Sequence, residues 1–276
     1  MTSPQPRIFQ NAVLRSLPGD SIERLRLKPV KLEADRRIAG PEDSMWWLYF
    51  IEAGSVALSV PLKDGSVIDT GVLGSRSMVG ATALLGTSES LQQAIVRSPG
   101  HAFVCSIEHG IEEFARAGEF HDLALACLHT QLMQSSQIAA CNRCHDVEQR
   151  LCRWMLHCGH ESSSGHIPVT QENLAEALGV RRTTVTLSMH LLRSEGLIDY
   201  SRGNIQLLDQ ARLGARACEC YEALRKLSGA GKVSSCYSAH KIGPQAVPAL
   251  GYSIQSLPPN GGHRETQWGS QHQFQR

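Results

Sequence analysis

Residues Val169 to Asp209 read VTQENLAEALGVRRTTVTLSMHLLRSEGLIDYSRGNIQLLD. Apolar Leu174, Leu178, Val185, Leu191 and Leu192 fall at helical spacing among polar residues, interrupted at Gly179. Ala175 is small enough for two helices to cross closely, and Gly179 can adopt the left-handed conformation that ends one helix and turns the chain into the next. The spacing predicts a helix opening at a Thr170 cap and a second over Arg182–Arg193. A two-stranded wing then follows: Leu197, Ile198 and Tyr200, a turn at Ser201-Arg202-Gly203-Asn204, then Ile205 and Leu207.

The exposed side of the second helix carries residue types that suit double-stranded DNA. Arginine reaches guanine edges with paired hydrogen bonds, threonine meets phosphates or thymine methyls, and a helix start favours a phosphate. Arg182, Thr183, Thr184 and Thr186 are expected in the groove. Thr170, Arg181 and Arg202 are expected on phosphates, with Gln171 beside them. Leu187 and Ser188 depart from the pattern: a second base-reading side chain is expected at the first and a larger apolar residue at the second.

Working upstream, Asp146 and Gln149 have the spacing of a helix cap, so Val147–His157 reads as a fresh helix, with a polar loop at Glu161–His166. Before it, one long helix is predicted from near Glu119 to Cys144. Leu125, Leu128, Leu132, Ser135, Ala139 and Asn142 lie at heptad spacing along it, a seam for a second copy of the chain, and a hinge falls near His145. From Val30 to Ile107 the pattern is short β-prone pieces cut by glycine. Turns are expected at Gly54, Asp64-Gly65 and Gly74, arguing for an antiparallel roll, barrel or sandwich. Two lead-in helices, Asn11–Leu17 and Asp20–Leu27, precede it. After Ser228 no period is visible and disorder is expected.

The fold class is therefore α+β. The expected organisation is lead-in helices over 1–28, a β-roll sensor domain over 29–118, a dimerisation helix over 119–145, a winged helix-turn-helix over 146–227 and a tail over 228–276. With a net charge of +1 over 276 residues, any DNA contact must come from a local patch. The chain has no apolar leader and no run long enough to span a membrane, so a cytoplasmic protein with no membrane partner is expected, its nine cysteines reduced. No Ser-His-Asp order, phosphate-binding glycine loop or paired acids suggest an enzyme.

The order of modules resembles the Crp/Fnr family of bacterial transcription regulators. The resemblance covers about residues 11–221 and rests on LYFIEAGSVALSV, DGSVIDTGVLGSRSMVGATALLG, DVEQRLCRWML and TQENLAEALGVRRTTVTLSMHLLRSEGLI. It implies a cyclic-nucleotide-binding-like β-roll, a homodimer, a two-fold symmetric operator and RNA polymerase as a partner. The family's base-contacting positions fall on Arg182, Thr183 and Leu187, and only Arg182 matches the residue type of the cyclic-AMP receptor protein. In the nucleotide cassette the family's glycine matches Gly80, but Ala81 replaces the glutamate and Gln92 the phosphate-binding arginine. A buried phosphate without its cation would cost several kcal/mol, on the order of any unpaired buried charge, so cyclic-AMP binding and any cofactor are not expected. Arg76 and Arg97 flank the cassette out of position.

Cys141 to His145 read CNRCH, the pattern that attaches c-type haem. An iron-sulfur member would need an N-terminal cysteine cluster, whereas the first cysteine is Cys105. Cys141 and Cys144, three apart, can share a helix face and with His145 form the alternative, a redox-, metal- or haem-responsive protein. Cys218 and Cys220 are too close in sequence to share one helix face and are expected to pack against the C-terminal domain.

Overall fold

The computed structural model describes residues 9–41, 46–86, 90–162, 165–201 and 203–229. Two short helices, α1 (Ala12–Ser16) and α2 (Gly19–Leu25), lead into β1 (Lys28–Leu32), β2 (Arg37–Ala39), β3 (Trp47–Pro61), β4 (Val67–Leu73) and β5 (Met78–Val79). A 3-10 turn over Ala81–Leu85 precedes β6 (Gln93–Ser106). Pairing is antiparallel throughout: β3 and β6 run side by side from Trp47↔Ser106 to Ser59↔Gln93. The other edge of β6 takes β1 and then β2, and the other edge of β3 takes β5 and then β4.

Two expectations change here. Gly54 is not a turn but lies inside β3 at φ 90°, and the β-prone pieces on either side of Gly100 are joined in one strand, β6. The cause is a pair of facing irregularities. A Cβ on Gly100 would overlap the Ala53 carbonyl, and one on Gly54 would overlap the Ser98 carbonyl. Glycines in both strands let the backbones close while the register shifts between Ile51 and Val56, which bends the ribbon without ending it.

Apolar residues on alternate strand positions fill two cores. Leu32, Ile51, Val56, Leu73, Val79 and Val96 pack within the sheet. Leu48, Phe50 and Met78 pack outward against Val13, Leu14 and Leu25 of the lead-in helices and against Phe120, Leu123 and Cys127. Buried Asn11 pins α1 down: its Nδ2 donates to the Ile51 and Ser77 carbonyls (3.0 and 2.9 Å), and its Oδ1 accepts from the Val13 and Leu14 amides.

The helical part starts with α3 (Ile107–Phe114) and the long α4, which spans Glu119–Cys144 as the spacing predicts. The residue after it, His145, is extended at φ −111° and ψ 150°. The Gln149 amide then donates to Asp146 Oδ1 at 2.9 Å, capping α5 (Val147–Ser162). Next come β7 (His166–Pro168), α6 (Gln171–Leu178), α7 (Arg182–Ser194), β8 (Ile198–Ser201), β9 (Asn204–Leu207), α8 (Gln210–Arg216) and α9 (Cys220–Gly229). The wing is a three-stranded sheet ordered β7-β9-β8 rather than a two-stranded hairpin, because His166–Pro168 leaves the expected loop to pair with β9. The tail beyond Gly229 and the wing residue Arg202 lie outside the described residues. Among the described residues no helix is long and apolar enough to cross a membrane.

The sheet meets α5 through a buried carboxylate. Asp69 on β4, 4% exposed, accepts from Ser59 Oγ (2.9 Å), Arg97 Nη2 (3.0 Å) and the Trp154 indole (3.0 Å). Val72, three residues along β4, joins the core built by Leu151, Met155, Leu174, Val185, Met189, Leu192 and Ile205. Replacing Asp69 by Ala strands the Arg97 guanidinium in the interior. The variant should lose about 3–5 kcal/mol of stability, measured by urea unfolding, and an unchanged midpoint would refute the arrangement.

His157 on α5 is buried with neither ring nitrogen hydrogen-bonded, and desolvation, helped by Arg153 and His160, holds it down to about 3. Its contribution to stability is whole above the unfolded value near 6.5 and is lost as pH falls towards 3, at about 1.4 kcal/mol per pH unit. Burial pushes Glu161 the opposite way, so its contribution grows as pH falls and offsets part of the loss. Unfolding curves at pH 7.5 and 5.5 should show acid destabilisation in the parent and a smaller difference in His157→Leu. Equal differences in the two proteins would place the acid sensitivity elsewhere.

Candidate nucleic-acid interface

Helix α6 opens where Thr170 Oγ1 accepts from the Asn173 amide at 3.1 Å, and it buries Leu174, Ala175, Ala177 and Leu178. Gly179, at φ 63°, closes it; the Val180 amide returns to the Ala175 carbonyl at 2.9 Å, and the chain swings into α7. On α7 the inward residues are Val185, Met189 and Leu192, at positions i, i+4 and i+7. Met189, not Leu191, supplies the middle contact, and Leu191 stays exposed. The large apolar side chain expected at Ser188 is supplied one position later, by the unbranched Met189.

The opposite face presents Arg181, Arg182 and Thr183 to solvent, then Leu187 (72% exposed), His190 and Leu191. Thr184 is half-buried. Thr186 donates to Gln171 Oε1 at 2.8 Å and to the Arg182 carbonyl at 3.0 Å, so Thr186 and Gln171 join the starts of the two helices. Arg182 Nη1 lies 3.8 Å from Glu172 Oε2, a loose pair between two exposed side chains and weak for that reason. The far end of α7 is fastened to the wing: Arg193 pairs with Asp199 at 2.9 Å and lies over the Tyr200 ring. Arg150, from α5, donates to the Leu178 carbonyl, one of the last in α6. The outcome is an exposed basic helix start on a firmly packed support, the arrangement that can enter a major groove.

The cassette positions are brought together, but around little space. Gly80, at φ 90°, starts the 3-10 turn; Ala81 is fully buried; Gln92 Nε2 donates to Thr70 Oγ1 at 2.9 Å. The cavity between them, lined also by Val79, Thr82 and Gln131, holds about 20 Å3, room for roughly one water. Among the described residues no lysine or arginine lines it. Arg97 is committed to Asp69, and Arg76 donates to His160 Nε2 at 3.0 Å.

Cys141 and His145 do approach one another, but Cys144 points away to solvent, contrary to the shared helix face expected for Cys141 and Cys144. The partners are Cys218 and Cys220. Cys218 precedes α9 and Cys220 is its first residue, so the chain bends between them and both sulfurs turn to one place instead of competing for one helix face. Their distance along the chain from Cys141 hid this grouping from sequence reasoning.

The outer line of α4 carries Leu132 (64% exposed), Met133, Ser136, Ala139 and Ala140. Ser135, placed in the seam by heptad spacing, instead donates to the Thr70 carbonyl at 3.3 Å and faces the sheet.

Comparison with known proteins agrees with this geometry. The family model of the Crp-like helix-turn-helix domain matches residues 149–216. The chain is 25% identical over 213 residues to the global nitrogen regulator of Synechococcus elongatus, covering 74% of this chain and 96% of the relative. The Nostoc protein of the same name is 25% identical over 182 residues, 63% of this chain and 82% of its own. Among solved structures, a crp/fnr-family transcriptional regulator from Eubacterium rectale superposes with a TM-score of 0.60 at 16% identity, covering 74% of this chain and 96% of that one. The c-di-GMP responsive global regulator CLP of Xanthomonas campestris gives 0.57 at 20% identity, with 69% and 99% covered. Residues 149–216 are thus a Crp-like helix-turn-helix domain, carried on a fold that the chain shares with crp/fnr-family structures.

Proposed function

We propose that the protein acts as a homodimer on a two-fold symmetric site in double-stranded DNA, each copy laying the start of α7 in a major groove. The observation that carries this reading is the exposed run Arg181-Arg182-Thr183 at a helix start whose orientation is fixed by the Thr186–Gln171 hydrogen bond. Arg182 and Thr183 read base edges, and Leu187 offers an apolar contact that suits a thymine methyl. Thr170, Arg181 and the wing residue Arg202 hold phosphates. Thr184, Thr186 and Gln171 lie at the groove's edge, the last two chiefly setting the angle of α7. DNA as the target places the protein in the cytoplasm, with RNA polymerase as the partner its family implies.

The outer line of α4 supports self-association: Leu132 and Met133 are large apolar side chains left in water, and Ala139 and Ala140 permit close approach further along. The sensor is not a cyclic-AMP receptor on this reading, since its cassette offers a cavity for about one water and no cation for a phosphate.

Arg182→Ala should weaken binding by about 1–3 kcal/mol at the preferred site and relax the preference at one base position of each half-site. Arg181→Ala should weaken all sequences alike and lower the salt slope by about 1. Fluorescence anisotropy on a selected operator and its point variants separates the two, and an Arg182→Ala protein indistinguishable from the parent on every site would remove α7 from the groove. Leu132→Asp should shift the protein from dimer to monomer in sedimentation at micromolar concentration and weaken operator binding at least tenfold. A variant that remains dimeric would move the interface off α4.

A further inference from the structure

The group at the end of α4 is the strongest unexplained feature of the molecule. Cys141 Sγ lies 3.5 Å from Cys218 Sγ, Cys220 Sγ lies 3.6 Å from His145 Nδ1, and all four donor atoms fall within 4.8 Å of one another. The three sulfurs are buried and the imidazole is partly so. A tetrahedral zinc ion, with bonds of about 2.3 Å to sulfur and 2.0–2.1 Å to nitrogen, sets its ligand atoms roughly 3.5–3.8 Å apart. The two close pairs already have that separation. Atoms this near to one another leave room for a single ion and not for a cluster of several irons.

We propose that Cys141, His145, Cys218 and Cys220 form a mononuclear tetrahedral site for a divalent, sulfur-seeking cation, Zn2+, which fastens the start of α9 to the end of α4.

The surroundings are those of a ligand shell. His145 turns Nδ1 towards the sulfurs and Nε2 towards Glu219 Oε1 at 3.1 Å, so the carboxylate fixes the ring and the tautomer that leaves Nδ1 free to bind. Gln137 Nε2 donates to Cys220 Sγ at 3.0 Å, a contact that orients the sulfur. Three thiolates and a neutral imidazole around a doubly charged ion leave one net negative charge in the interior. The buried guanidiniums of Arg150 and Arg153 act electrostatically on Cys141 and can offset it, and the Nε of each lacks a hydrogen-bond partner. Without an ion, burial pushes the Cys141 and Cys218 thiols up and keeps them protonated. Binding exchanges the S–H proton of Cys141 and that of Cys218 for a metal bond. Four protein ligands leave no open position for water or substrate, which makes the site structural and not catalytic. Three sulfurs with one nitrogen in this geometry select zinc over the harder cations. Cys144, the second thiol of CNRCH, has no part in it.

The test uses the full chain, purified under reducing conditions without chelator, with metal content by mass spectrometry and Co2+ titration followed by visible absorption. The expected result is one zinc per chain, and with Co2+ the intense bands of tetrahedral thiolate coordination, bleached by added Zn2+. Cys144→Ser should behave as the parent, whereas Cys220→Ser and His145→Ala should bind at least 100-fold more weakly. Parent protein that holds neither metal would overturn the proposal. So would an iron-sulfur chromophore, a Cys141–Cys218 disulfide in place of bound metal, or loss of binding in Cys144→Ser equal to that in Cys220→Ser. Circular dichroism establishes that each variant is folded, and the parent and Cys144→Ser decide the matter if the ligand variants are not. Metal stoichiometry is read without DNA, so its failure leaves the operator reading untouched.

Discussion

The Asp69 carboxylate sits where strand β4, strand β6 and helix α5 meet, and the relation of sheet to DNA-reading helices depends on it. A lone carboxylate at 4% exposure would be prohibitive. It is tolerable because Arg97 supplies the opposite charge and Ser59 and Trp154 donate two further hydrogen bonds. Each of these donors has one place from which it can reach Asp69. The indole bond thereby fixes how far along β4 the helix α5 can sit. Val72 follows into the core of the helix-turn-helix, so that core is completed by a residue of the sheet. Hydrophobic packing alone would permit sliding by a turn; a buried carboxylate held by three donors does not.

From α5 the constraint passes to the reading head by short steps. Arg150 reaches the last carbonyls of α6, the Gly179 turn sets the entry of α7, and the Thr186–Gln171 bond holds the two helix starts together. The exposed arginines and threonine can remain unsatisfied on their outer side because everything beneath them is fixed. Among the described residues Arg182 pairs loosely with Glu172, and an exposed pair at 3.8 Å yields readily to a better anion. Here rigidity and availability are assigned to opposite faces of one helix.

Local pattern revealed what local physics determines. The span Glu119–Cys144, the Asp146 cap, the Thr170 cap and the Gly179 turn are all consequences of neighbours within a few residues, and all were legible. What depended on distant partners was not. Gly54 read as a turn because a positive φ serves turns and bulges alike, and only the facing Gly100 shows which one is built. His166–Pro168 carries too few residues for a strand period, and becomes one because β9 offers an edge. Ser135 kept heptad spacing but turned towards Thr70, since a helix lying on a sheet buries whichever polar group finds a carbonyl. Asp69 itself reads as an ordinary polar alternate in VIDTGVL.

The cysteines follow the same logic with larger consequences. CNRCH suggested one local ligand set, yet helix geometry separates Cys144 from Cys141 once the helix is packed, because one flank of α4 faces α9 and the other faces water. The residues that replace it come from beyond the wing, more than seventy positions later, and meet Cys141 only because α9 folds back along α4. Two fastenings thus bracket the first turns of α5: the Asp69–Trp154 bond on the sheet side, and the cysteine-histidine group immediately before the Asp146 cap. The residue between α4 and α5, His145, belongs to the second of them. Whatever fixes its ring fixes the angle at which α5 leaves α4, and through Arg150 and Leu178 the angle is passed to α6, the helix that precedes α7.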